Sequence, residues 1–182
     1  MNIYLSGMIG SGKTAVGTLL AQRIGWPFFD LDREMDRELS GRGDPAGRPY
    51  TFHELVREQG WLAFRELEYR ICKRFALLEQ TVIALGGGTV RYEWNTDLLR
   101  GTGIMILLEA DLPTLAARVR AADRPRVNPG VSLEEDLKRI WSSSAHLYRQ
   151  AAALIYQTDT GKGVEEEVDD LVTLLKSRSF VG

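Results

Sequence analysis

The sequence predicts an α/β fold in which a central five-stranded parallel sheet lies between layers of helices. Short apolar segments alternate with longer amphipathic segments, which is the order that right-handed strand–helix–strand crossovers produce. A glycine-rich turn directly follows the first apolar segment. Hydrophobic residues make up 44% and charged residues 26% of the 182 residues, as in ordinary globular domains. We therefore expect residues 1–182 to form one domain of this three-layer class.

The strands are short apolar runs bounded by glycine, proline or polar residues. In chain order they are predicted at residues 2–6, 26–30, 81–85, 103–108 and 152–156. Amphipathic segments predict helices over residues 13–24, 111–121 and 164–176. In the first of these helices, Val16 and Leu20 are spaced to lie on one buried face.

Two segments interrupt this alternation. Residues 40–50 contain three glycines and two prolines, and residues 121–130 contain two prolines. Both compositions predict exposed loops, the second of them between two helices.

Charge and cysteine content narrow the function classes. Twenty-three basic residues nearly balance 25 acidic ones, which argues against a dedicated nucleic-acid-binding protein. Cys72 is the only cysteine, so no disulfide within the chain is possible and a packing role is expected. The apolar run at residues 3–5 is too short for a signal peptide or a membrane span. We expect a cytoplasmic monomer that does not bind membranes.

Residues 7–14 read Gly-Met-Ile-Gly-Ser-Gly-Lys-Thr and match the spacing of a P-loop. Glycines let the backbone N–H groups converge on phosphate oxygens, and the following helix directs its positive end at them. Lys13 is expected to reach the β- and γ-phosphates, and Thr14 to ligate Mg²⁺. ATP and Mg²⁺ are therefore the predicted cofactors. The residues predicted to bind the nucleotide phosphates are Gly10, Ser11, Gly12, Lys13, Thr14 and Ala15. An ordinary glycine-rich turn is disfavoured by the flanking strand and helix.

Two carboxylates follow the second predicted strand. Asp30 and Asp32 lie two positions apart, so in an extended segment both would point the same way, beyond the carboxyl end of the sheet. One could hold Mg²⁺ and the other could accept a proton from a substrate hydroxyl. The alternative is that one of them caps the next helix.

These motifs occur in the order found in shikimate kinases, which the sequence resembles over nearly its whole length. The matching patterns are the P-loop, Phe28-x-Asp30-x-Asp32, Phe64-Arg65-x-x-Glu68, Gly86-Gly87-Gly88 and Arg124-Pro125. The resemblance implies a nucleoside monophosphate kinase-like P-loop fold, with a helical substrate-binding segment near residues 31–65 and a lid near 121–131. It also implies ATP-dependent phosphorylation of the 3-hydroxyl of shikimate, a step of aromatic amino-acid biosynthesis.

The resemblance implies a role for each matching residue on the acceptor side of the site. It implies that Asp32 contacts the acceptor hydroxyls as base or orienting group. Arg65 would bind the shikimate carboxylate through a planar two-pronged contact, and Glu68 on the same helix face would orient it. Gly87 would offer a backbone N–H to the small-molecule substrate.

On the nucleotide side, the resemblance implies that Asp30 assists Thr14 in holding Mg²⁺. Arg124, from the lid, would close over ATP and neutralise charge on the transferred phosphoryl group. Arg118 would pack near the adenine. Lys13, Asp32 and Arg124 are therefore the predicted catalytic residues.

The sequence departs from the family pattern mainly on the acceptor side. Ser144 stands where the family carries a second carboxylate-binding arginine, and Trp61 stands where an acidic residue is frequent. Residues 43–50 resemble an insertion. Weaker shikimate binding is expected unless another cation compensates. The candidates from the loop and lid are Arg42, Arg48 and Arg126.

Two other function classes stay open at the level of sequence. The acceptor could be another small hydroxy acid such as gluconate, or the domain could bind nucleotide without turnover. A nucleoside monophosphate acceptor is disfavoured, because only Arg65 is clearly placed for an anion.

Overall fold

Five parallel strands form the central sheet, as the sequence predicts. A computed structural model describes residues 1–42, 50–119, 128 and 130–181. The strands are β1 (Asn2–Ser6), β2 (Phe28–Asp30), β3 (Val82–Ala84), β4 (Gly103–Glu109) and β5 (Leu154–Gln157). They lie in the order β2-β3-β1-β4-β5, and every neighbouring pair is parallel. The carboxyl ends of β1, β2 and β3 therefore lie side by side at one edge of the sheet.

Helices connect the strands within the described part of the chain. They are α1 (Lys13–Ile24), α2 (Leu31–Leu39), α3 (Phe52–Phe75), α4 (Glu93–Leu99), α5 (Leu112–Val119), α6 (Leu133–Ala151) and α7 (Val164–Ser177). Short 3₁₀ helices cover Ser40–Arg42 and Thr89–Arg91. The predicted boundaries of the first helix are confirmed. The second strand is shorter than predicted, because the Trp26 N–H bonds to the Ala21 carbonyl at the end of α1 and Pro27 has no N–H to donate.

Side chains that alternate along the strands pack against helices on both faces of the sheet, so the fold has three layers. Ile3 and Leu5 of β1 pack with α1 and α7 on one face of the sheet, whereas Tyr4 packs on the other face with α2, α3 and α6. The residues of β4 alternate in the same way. Cys72 is fully buried in the second of these clusters, which confirms its predicted packing role.

A kink divides α3 into two parts. Gly60 adopts φ 79° and ψ 179°, a conformation that side-chain-bearing residues rarely adopt, and the helix resumes at Trp61 in a new direction. The second part of α3 then carries Arg65 and Glu68 beneath the carboxyl end of β3.

Some predicted features lie outside the described residues. The predicted loop at residues 43–49 and most of the predicted lid, residues 120–127 and 129, are among them, and so are Arg48, Arg124 and Arg126. None of the described helices is long and apolar enough to cross a membrane.

Candidate active site

The glycine-rich turn between β1 and α1 forms a tight loop. Gly10 and Gly12 have φ of 83° and 91°, in the left-handed region that favours glycine. A Cβ at Gly10 would also lie 2.9 Å from a methyl carbon of Val119. The loop therefore needs glycine for both its conformation and its contact with α5.

Most of the predicted phosphate-binding residues line one cleft of about 370 Å³. They are Gly10, Gly12, Lys13, Thr14 and Ala15, together with Arg118. The Lys13 ammonium donates to the carbonyls of Gly7 and Met8, both at 2.9 Å, and so crosses the loop. Ser11 is buried and is not among the residues that line the cleft, and its amide donates to the Met8 carbonyl at 3.2 Å.

Arg118 is fixed beside the P-loop. One of its guanidinium nitrogens donates to the Thr158 carbonyl at 2.6 Å, and the other donates to the Thr158 hydroxyl at 3.2 Å. A longer contact of 3.4 Å reaches the Gly10 carbonyl. The guanidinium therefore ties the end of α5 to the rim of the phosphate cleft, where sequence analysis places the adenine.

Asp30 performs two functions at once. Its Oδ1 accepts hydrogen bonds from the amides of Asp32 and Arg33 and so caps α2, while its Oδ2 accepts the Thr14 hydroxyl at 2.6 Å. The prediction that Asp30 and Asp32 share an extended segment is wrong, because this cap starts the helix directly after Asp30. Both carboxylates nevertheless line the phosphate cleft.

The pairing of Thr14 with Asp30 fits a magnesium site. Mg²⁺ prefers hard oxygen ligands, commonly one or two protein groups together with phosphate oxygens and water. A hydroxyl and a carboxylate oxygen meet here at the lip of the phosphate cleft. The donor set therefore suits a cation that arrives with a nucleotide.

A second cavity, of about 520 Å³, adjoins the phosphate cleft. Its walls come from the P-loop, α2, α3, the Gly86-Gly87-Gly88 turn and α6. Asp32, Ile9, Gly87 and Val119 line both cavities, so the two meet at these residues.

Arg65 is held by a buried hydrogen-bond network. Its Nη1 donates to Glu68 at 2.8 Å, and Glu68 is fully buried. The same carboxylate accepts the Thr89 hydroxyl at 2.8 Å and the Asn95 amide at 3.1 Å. Because a buried carboxylate is costly unless it is paired, this network both stabilises Glu68 and fixes the guanidinium. The expected orienting role of Glu68 has a structural basis.

The guanidinium of Arg65 also lies among aromatic rings. Its central carbon is 4.4 Å from the centre of the Tyr92 ring and 5.4 Å from that of Trp61. A Cβ at Gly88 would lie 2.9 Å from an Arg65 nitrogen, so a side chain there would displace the guanidinium. The Arg65 Nε is buried and has no partner within the described chain, and Arg65 lines the cavity. Both observations fit a cation that completes its contacts with a ligand.

We expect Glu68→Gln to loosen Arg65. The glutamine keeps the shape but removes the charge-assisted acceptor, at a cost to stability of about 1–3 kcal/mol. KM for the acceptor is expected to rise roughly tenfold with little change in kcat. Steady-state kinetics and thermal unfolding measure both effects, and Glu66→Gln, one position from Arg65 on the exposed face, is the control. Equal behaviour of the two variants would contradict the orienting role.

Gly87 lies where the two cavities meet, as expected for a substrate contact. Its carbonyl accepts the Tyr148 hydroxyl, and burial raises the pKa of Tyr148 to about 12, so the phenol remains a donor. No hydrogen bond joins the Gly87 amide to any described residue. That amide is therefore available to a ligand.

Ser144 does not provide a cavity wall. It is only 2% exposed, and its hydroxyl lies 3.2 Å from that of Ser143. On the same helix, Ile140 and Tyr148 do line the cavity. The cavity contains a cation that sequence analysis missed, Arg91, and the only signal for it was its position three residues after Gly88.

Comparison with known proteins agrees with this geometry. Residues 9–176 match the shikimate kinase family profile. A shikimate kinase from Symbiobacterium thermophilum is 37% identical over 185 aligned residues, which cover 100% of both chains. One from Chlorobium luteolum is 34% identical over 191 aligned residues, covering 99% of this chain and 90% of that one.

The fold agrees as well. A solved structure of shikimate kinase from Acinetobacter baumannii in complex with shikimate superposes with a TM-score of 0.82 at 28% identity, covering 97% of this chain and 93% of that one. Similarity that extends over the full length, through the P-loop side and the acceptor side alike, shows that this chain belongs to the shikimate kinase family.

Proposed function

We propose that this chain transfers the γ-phosphoryl group of ATP to the 3-hydroxyl of shikimate, with Mg²⁺ as the metal cofactor. The observation that carries the proposal is the position of Asp32, which lines both the phosphate cleft and the adjoining cavity. A carboxylate at that junction can act on a hydroxyl and face a phosphoryl group at the same time.

In the proposed mechanism, the residues of the chain mainly position the reacting groups and stabilise the charge that develops during transfer. Asp32 orients the acceptor hydroxyl and accepts its proton as the oxygen attacks phosphorus. Lys13 donates to the β- and γ-phosphate oxygens, where negative charge develops. Thr14 and Asp30 would hold Mg²⁺, which would supply positive charge beside the phosphates.

On the acceptor side, Arg65 binds the carboxylate of shikimate and Gly87 donates its amide. The described contacts support both roles, since Arg65 is fixed by Glu68 and the Gly87 carbonyl is held by Tyr148. Arg124 belongs to the proposed lid and lies outside the described residues. Its role in neutralising charge on the transferred group stays a prediction.

The shape of the site supports a small acceptor. A cavity of about 520 Å³ has room for a hydroxy acid of one ring. We also propose that residues 1–182 act as one domain and as a cytoplasmic monomer.

A panel of acceptors tests the proposed function. ATP consumption by the purified protein with Mg²⁺ is measured with shikimate, gluconate and a nucleoside monophosphate, and the product is located by ³¹P NMR. We expect turnover with shikimate and a phosphate on its 3-oxygen. Turnover only with gluconate or the nucleotide, or binding of ATP without acceptor-dependent turnover, would contradict the proposal.

A further inference from the structure

Two arginines, Arg65 and Arg91, line the cavity next to the phosphate cleft. Arg65 has one anionic partner, Glu68, at 2.8 Å. Arg91 is half-buried and has no salt bridge or side-chain hydrogen bond to any described residue. Several carboxylates also line this cavity, but none of the described ones pairs with Arg91. A half-buried guanidinium that lines a cavity and has no anionic partner among the described residues is the kind of group that a ligand anion completes.

The backbone of Arg91 is anchored by the short helix that it ends. Arg91 ends the 3₁₀ helix Thr89–Arg91, and its amide donates to the Gly88 carbonyl at 3.1 Å. Thr89 begins that helix and donates its hydroxyl to Glu68. One buried carboxylate therefore positions both Arg65 and the segment that carries Arg91.

Arg65, Arg91 and Tyr148 line the same cavity. Arg91 and Arg65 both oppose the effect of burial on the pKa of Tyr148, so both positive charges lie close enough to that phenol to influence it. The Tyr148 hydroxyl in turn contacts Gly87, where the cavity meets the phosphate cleft.

We propose that Arg91 is a specificity-determining residue that binds the carboxylate of the acceptor together with Arg65. This role rests on the proposed function, because it requires an anionic hydroxy acid in the cavity. Ser144 is buried, lies off the cavity wall and cannot provide this charge. Two arginines allow a carboxylate to receive charge-assisted hydrogen bonds on both oxygens.

The test compares Arg91→Gln with the parent, using shikimate and its uncharged carboxamide as ligands. We expect KM and the calorimetric Kd for shikimate to rise about ten- to hundredfold, since a charge-assisted hydrogen bond is lost. The ATP KM is expected to remain unchanged, and binding of the carboxamide to change little. Arg91→Lys should give an intermediate loss, because it keeps the charge but not the planar fork. Arg100→Gln, an exposed arginine paired with Asp97, is the matched control.

Each outcome decides between the proposals. If the parent phosphorylates shikimate and Arg91→Gln stays within about twofold of it in KM, the role of Arg91 is overturned and the proposed function stands. An equal loss for shikimate and the carboxamide would show that Arg91 only supports the fold, which also overturns its role. If the parent does not act on shikimate, the proposed function and this inference both fall.

Discussion

Lys13→Ala is expected to reduce kcat about a hundredfold or more, because it removes a positive charge from the phosphates during transfer. The loss should appear in kcat/KM as well, since the interaction strengthens as charge develops on the phosphoryl group. Lys13 occupies the P-loop, outside both apolar clusters, so no core volume is lost. Its hydrogen bonds to Gly7 and Met8 are also removed, at a cost to stability of about 1 kcal/mol.

A coupled ATPase assay with saturating acceptor and a thermal unfolding curve measure both effects. Lys176→Ala removes the same charge from the exposed side of α7 and should leave activity unchanged. Retention of more than about a tenth of the parental activity by Lys13→Ala would be incompatible with the proposed role of the P-loop.

Asp32→Asn is expected to lower kcat about 10²- to 10⁴-fold, because asparagine cannot accept the proton of the acceptor hydroxyl. The ATP KM should stay nearly constant, since Lys13 and Thr14 are untouched. The size of the effect is measured by initial rates at saturating shikimate, and the ATP affinity by titration in the absence of acceptor.

Asp30→Asn is the matched comparison for Asp32→Asn. Asparagine caps helices about as well as aspartate, so α2 should remain stable, whereas the loss of a carboxylate beside Thr14 should raise the Mg²⁺ concentration needed for activity. If both variants instead lost only thermal stability, and by similar amounts, the two acids would be structural and the proposed division of roles would be wrong.

The local sequence predicted the phosphate-binding half of the site well. The P-loop depends on a strand, eight adjacent residues and a helix, so its residue spacing determines its geometry. Lys13, Thr14 and Asp30 lie where the sequence places them, around one cleft. Asp32 lines the same cleft but lies in α2 and not in an extended segment, because the cap formed by Asp30 starts the helix at Leu31.

The acceptor side depends on contacts between distant segments. Glu68 meets Thr89 and Asn95, which are 21 and 27 positions away, and Tyr148 meets Gly87 across 61 positions. Periodicity indicates only which face of a helix is buried, and carries no information on what packs against it. For this reason the sequence did not point to Arg91. Ser144 was identified as a missing charge only from the family pattern, and it is buried away from the cavity wall.

The sequence by itself determined the α/β class, the five parallel strands and the P-loop, because strand alternation, helix periodicity and turn chemistry are local properties. Only the tertiary structure decided which arginines share the acceptor cavity, because that depends on how α3, the segment after Gly88 and α6 pack around one buried carboxylate, Glu68. A buried carboxylate lowers the stability of the fold unless hydrogen-bond partners surround it. The packing of these segments and the positions of the partners of Glu68 are therefore determined together.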